Sequence, residues 1–192
     1  MTEAHTNSLE ADQLRSAPEV ARRCLVLYAV VAAGHNQSRE DLAKWLRREN
    51  LWDSVSPNEA TFLESKKPTR QQTINATWRA EALLPLLWAL GRIESFTPVT
   101  GMCDLQLIHP VVPTLLTPTS EFISHVTLRS EDDISEAHEA VYQAHWSVRD
   151  AQINKRPVPN GYHTEVIQER HHALNWLIGY CGQDWDDVTT DT

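Results

Sequence analysis

Apolar positions along this chain recur every three or four residues, which predicts amphipathic helices. The clearest run lies within Thr164–Thr192, where Val166, Ile167, Arg170, Ala173, Leu174, Leu177, Ile178 and Cys181 share a face. Gly179 and Gly182 can stop that helix, because glycine accepts the left-handed geometry that follows a last turn. Upstream, Pro18 suits the first turn of a helix carrying Val20, Cys24, Leu27, Tyr28 and Val31 and ending near Gly34. Ser38 with Asp41 predicts a capped helix over Arg39–Glu49 that buries Leu42, Trp45 and Leu46. Ser56-Pro57-Asn58-Glu59 is a fuller start, with a capping serine, a first-turn proline and a glutamate three residues on. That helix ends near Ser65. Thr69 then caps a long helix to Gly91, with the stripe Ile74, Trp78, Glu81, Pro85 and Trp88. A short helix over Ser120–Leu128 precedes another long one, opened by Ser130 with Asp133 and reaching Lys155. Its stripe is Ile134, Val141, His145 and Val148, with His138 one turn before Val141 and Arg149 on the edge.

Two stretches break the pattern. Residues 1–17 are polar and unpatterned, which predicts a loose tail. Residues 95–120 carry one formal charge, Asp104, and contain Pro98, Pro110, Pro113 and Pro118, which forbid a long helix. So apolar and irregular a segment should lie on the core as a crossover connection rather than a lid, with Asp104–Ile108 briefly extended. The sum is a single all-α domain of about six to eight helices over residues 18–192.

Charges inside the apolar stripes are the feature that stands above background. Arg170 occupies a slot that asks for leucine, and Glu81 does the same on another long helix. Pro85 has no N–H, so the Glu81 carbonyl four residues back loses its helical donor. A guanidinium has five donors in a fixed fork, and Arg170 is expected to serve both oxygens of Glu81, carboxylate and carbonyl. Arg79 with Glu169 is the competing pairing. His145 is expected to be a neutral core histidine donating to a carbonyl. Trp78, Trp88, Trp146 and Trp176 lie near these charges in sequence, either to wall a pocket or to fill the core. The candidate ligand-binding set is therefore Arg79, Glu81, Trp88, His145, Arg149, Glu169 and Arg170.

Composition narrows the classes. With 17 Lys+Arg against 26 Asp+Glu the formal net charge is −9, which argues against nucleic acid or an anionic membrane as partner. Cys24, Cys103 and Cys181 are far apart without a CxxC, and the first twenty residues lack a signal-peptide pattern, so a reduced cytoplasmic setting is expected. Glu169-x-x-His172 has the spacing of half a di-metal site, but no second such motif and no HExxH exists. No metal and no cofactor are expected. GxSxG, a Walker loop and GxGxxG are also missing, and Asp184, Asp186, Asp187 and Asp191 lack the glycine and glutamate of a calcium loop. Trp185 and Val188 interrupt this acidic end, which predicts docking through them with the aspartates facing Arg or His groups.

Three segments together resemble a bacterial family, domain-of-unknown-function family 4272. They are Trp78-Arg79-Ala80-Glu81-Ala82 running to Leu87-Trp88-Ala89-Leu90-Gly91, His145-Trp146-Ser147-Val148-Arg149-Asp150, and Glu169-Arg170-His171-His172-Ala173-Leu174-Asn175-Trp176-Leu177 followed by Asp184–Thr192. The resemblance spans about residues 21–192 and implies a small soluble protein with no assigned activity and no catalytic residues to carry over. The residues point first to a non-enzymatic binding protein with an unknown protein partner. By analogy, size and charge suit a protein that neutralises a basic partner, as immunity proteins do with toxins. The alternative is an enzyme or small-molecule binder that holds an anionic ligand on the Arg/Glu/His cluster.

Overall fold

A computed structural model describes residues 13–96, 99–159 and 161–192. Among these, seven α-helices and no strand are found: α1 (Ala17–Gly34), α2 (Arg39–Arg48), α3 (Pro57–Glu64), α4 (Arg70–Ala89), α5 (Ser120–Ser124), α6 (Glu131–Ile153) and α7 (Thr164–Ile178). The chain is all-α, as its periodicity predicts.

The helix starts follow the capping chemistry. Ser38, Ser56, Thr69 and Ser130 each accept a hydrogen bond from the backbone N–H three residues on, and Ser56 and Thr69 complete reciprocal boxes with Glu59 and Gln72. At the far end of α7, Gly179 adopts φ 74°. A Cβ there would also lie 2.2 Å from the Gln13 carbonyl oxygen, so both conformation and crowding require glycine.

α1 is buried on every side from Cys24 to Gly34, which fits an apolar run with no polar face. It packs on α4, α4 packs on α7, and α7 packs on α6. The α1–α4 crossing is close: a Cβ on Gly34 would stand 2.9 Å from the Thr77 backbone nitrogen. α2, α3 and α5 close over the rest of α1.

Several expectations need correction. Ile74 and Cys181, placed in apolar stripes, are exposed, and Cys181 sits at φ 53° beyond the end of α7. Residues 104–108 form a 3-10 turn over Leu105–Leu107 instead of an extended run, because the Asp104 carboxylate caps it by accepting from Gln106 N–H at 2.9 Å. α5 ends at Ser124, short of Leu128. The loose tail expected over residues 1–17 lies outside the described residues as far as 12. At its inner end Leu14 packs on the core, and the Arg15 N–H donates to the Leu177 carbonyl at 2.9 Å.

Candidate functional site

The two charges in apolar slots meet where α4 faces α7. Arg170 Nη2 donates to Glu81 Oε2 at 2.8 Å and Nε donates to the same oxygen at 3.2 Å. Both side chains are essentially sealed, Arg170 at 0% and Glu81 at 3% exposure. Their remaining valences run to the crossover: Glu81 Oε1 accepts from the Cys103 N–H at 2.6 Å, and Arg170 Nη2 donates to the Gly101 carbonyl at 3.2 Å. The backbone oxygen reached is thus Gly101's, where the Glu81 carbonyl was expected. The competing pair forms as well. Arg79 Nη1 donates to Glu169 Oε2 at 2.9 Å at the half-buried edge of the same interface. Burial holds the Glu169 carboxyl above its usual range despite the Arg79 charge.

Histidines fill the α6–α7 side. His145 and His171 share one proton between their Nδ1 atoms, 2.8 Å apart, so the two rings cannot both be imidazolium. Burial pushes His171 down to about 4, with the neighbouring histidines adding to the effect. Burial likewise lowers His145, helped by the Arg149 charge. The role expected for His145, donating to a carbonyl, is taken by His172, whose Nε2 lies 2.9 Å from the Trp185 oxygen. Desolvation and the Arg79 charge hold His172 near 4. Asn175 Nδ2 donates to the Thr189 carbonyl at 2.8 Å, which leaves its Oδ1 to accept from His138 Nε2 at 2.6 Å. Together these bonds tie the C-terminal segment to α7 and, through His138, to α6.

That segment docks as expected through Trp185 and Val188, both buried. Asp186 accepts from Ser56 Oγ at 2.7 Å and from the Asn58 N–H at 2.8 Å, so its hydrogen bonds cap the positive end of α3, while its charge also acts on His172, a partner of the kind expected. Two arginines meet this segment at the Trp185 ring: Arg23 stacks on it with its guanidinium carbon 4.4 Å from the ring centroid, and that of Arg79 lies 5.9 Å away. Arg23 is itself buried in an ion pair with Glu59 and donates to the Ser54 carbonyl at 2.9 Å.

Of the seven predicted site residues, Arg79, Glu81, Glu169 and Arg170 converge. His145 belongs to the neighbouring histidine layer. Arg149 is exposed and donates to Gln152, and Trp88 packs against Phe96 and Arg129. Trp146 is exposed. The pair Arg23–Glu59 was not anticipated, although Arg23 directly precedes the uninterrupted apolar run Cys24–Gly34 and therefore had to be partnered.

A cleft of about 580 Å³ opens between the start of α1, residues 53–58 and residues 184–187. Trp176, Trp185, Arg15 and Arg23 line it together with the carboxylates of Glu19, Asp53, Asp184, Asp186 and Asp187. Among the described residues none of these five acids is in an ion pair. Cys24 and Cys103 carry no nucleophile: burial raises both thiols, Cys103 to about 12. No three His, Cys, Asp or Glu side chains among the described residues are placed to hold a metal. No helix among them is long and apolar enough to cross a membrane.

The family described as Domain of unknown function (DUF4272) matches residues 4–188, and the chain belongs to it. No curated protein and no solved structure matches the chain.

Proposed function

We propose that this is a non-enzymatic binding protein of the cytoplasm that recognises another protein and works without cofactor, nucleic acid or membrane. The observation that carries this reading is the saturation of the Arg170–Glu81 cluster by the chain's own groups. An anionic ligand would need the Arg170 fork, yet that fork is sealed from solvent and bonded to Glu81 and Gly101. The cluster acts instead as a clamp that fastens the crossover to α4 and α7. Three free, separated cysteines, one of them exposed, suit a reducing compartment.

A thermal-shift screen of the full chain against metabolites, metals and basic proteins tests the reading, since a ligand of the native state raises the melting temperature. A basic protein is expected to stabilise it, with the shift kept in Glu81→Leu/Arg170→Met. A metabolite that stabilises the wild type and not that double variant makes the cluster a ligand site and overturns the proposal.

A further inference from the structure

α6 is covered along one side. Its inner face, with Ile134, Val141, His145 and Val148, is buried, and α7 is the helix that packs along it among the described residues. A second stripe runs down the outer side: Ser135, Glu139, Tyr142, Trp146, Arg149 and Ile153, spaced alternately four and three residues apart. Trp146 is 48% and Ile153 69% exposed, so the fold itself leaves both apolar side chains in solvent. Tyr142 between them and α7 is half-buried, with its ring edge on His171. Glu139 and Arg149 are exposed, and neither has an ion-pair partner among the described residues. Each bonds a neutral glutamine one turn away: Gln143 Nε2 donates to Glu139 at 2.7 Å, and Arg149 Nη1 donates to Gln152 at 3.3 Å.

The outer stripe is its own complement. Tyr142 and Trp146 are equidistant from position 144, as are Glu139 and Arg149, and Ser135 and Ile153. A two-fold axis level with that position sets each member of a pair on the other member in a second copy, twice over. The central contacts are then aromatic, the next carry opposite charges, and the outermost cover Ile153. A parallel pairing would set Glu139 on Glu139 and Arg149 on Arg149, so charge selects the antiparallel arrangement.

We infer that the outer face of α6 is the docking site for a second copy of this chain, with the two helices antiparallel, Trp146 on Tyr142 and Arg149 on Glu139. The inference goes beyond the binding-protein reading and does not depend on it. The seam from Ser135 to Ile153 is about 27 Å long. One helix pair of that length covers less than the roughly 1,600 Å² of a standard interface, so the dimer is expected to dissociate in the micromolar range.

Sedimentation velocity of the full chain from about 1 µM to about 1 mM tests it, with a shift from monomer to dimer expected over that range. Glu139→Arg and Arg149→Glu each bring like charges together at both symmetry-related contacts, and each should weaken the dimer about a hundredfold. Mixed one to one, the two variants carry opposite charges at both contacts and should form a heterodimer within a few-fold of wild-type strength. Both residues are exposed, so helix content and melting temperature should stay unchanged, which separates a lost contact from a lost fold. Trp146→Ala should weaken the dimer as well. A wild type that stays monomeric at about 1 mM overturns the dimer and leaves the face to a different protein. A dimer that survives the charge reversals or Trp146→Ala lies elsewhere on the molecule and overturns the seam. Variants that are monomeric alone and remain so when mixed overturn the antiparallel register.

Discussion

Glu81 and Arg170 show what a charge in an apolar stripe is for when its neighbours include an irregular crossover. The carboxylate has one oxygen for the guanidinium and one for the Cys103 N–H, while the guanidinium has donors to spare for Gly101. The pair therefore satisfies backbone groups of a segment that has no helix to satisfy them. Removing one partner leaves the other buried and uncompensated, so Glu81→Leu or Arg170→Met alone should cost about 3–5 kcal/mol in denaturant unfolding. The double variant should recover much of that loss. Additive effects, with coupling below about 0.5 kcal/mol, would refute the clamp. The pairing itself was legible in the sequence because both residues break a 3.6-residue pattern. The partner carbonyl was not, since it depends on where the crossover lies.

At the scale of elements, the crossover and the C-terminal segment are each held by side chains from the long helices. If the clamp fastens the crossover, Glu81→Leu/Arg170→Met should exchange the Cys103 amide faster than wild type while α1 stays protected. Unchanged exchange at Cys103 would mean that other contacts hold the loop. Trp185 fills a site against Arg23, His172 and Trp176. Trp185→Ala should cost about 3–5 kcal/mol, or roughly 6–20 °C in melting temperature for a chain of this size. A melting temperature within error of wild type would show that the segment is not docked. The docking was legible from two apolar residues among aspartates; the capping of α3 by Asp186 was not, because it joins positions more than 120 residues apart.

For the whole molecule, buried neutral histidines set how stability depends on pH. His171 and His172 are lowered to about 4 in the folded chain, against 6.5 for the ordinary group. Above pH 6.5 neither state binds the proton, so these groups contribute no slope. Between about 6.5 and 4 the unfolded chain takes up protons that the folded chain refuses, and stability falls as pH falls. The melting temperature should drop across that window. His172→Gln, which offers an N–H to the Trp185 carbonyl without titrating, should flatten part of the drop; an unaltered pH profile would assign the effect elsewhere. Removing residues 184–192 should lower the melting temperature at neutral pH and free His172 to titrate nearer its ordinary value.

Local chemistry decided the helices: capping serines and threonines, a first-turn proline, terminal glycines and the 3.6-residue repeat act within a turn or two of the residue that carries them. The same repeat exposed Glu81 and Arg170 as partners, because a charge inside a stripe has few places to go. Tertiary structure alone decided the rest. It set Glu59, from a helix some 36 residues on, against Arg23, a pairing no stripe reveals. It turned His145 toward His171 and gave the carbonyl to His172, since which ring of a crowded layer meets which acceptor depends on helix rotation by fractions of a turn. It also brought the start of α1, the 53–58 turn and the acidic end of the chain around one cleft, where charges scattered along the sequence become a single field.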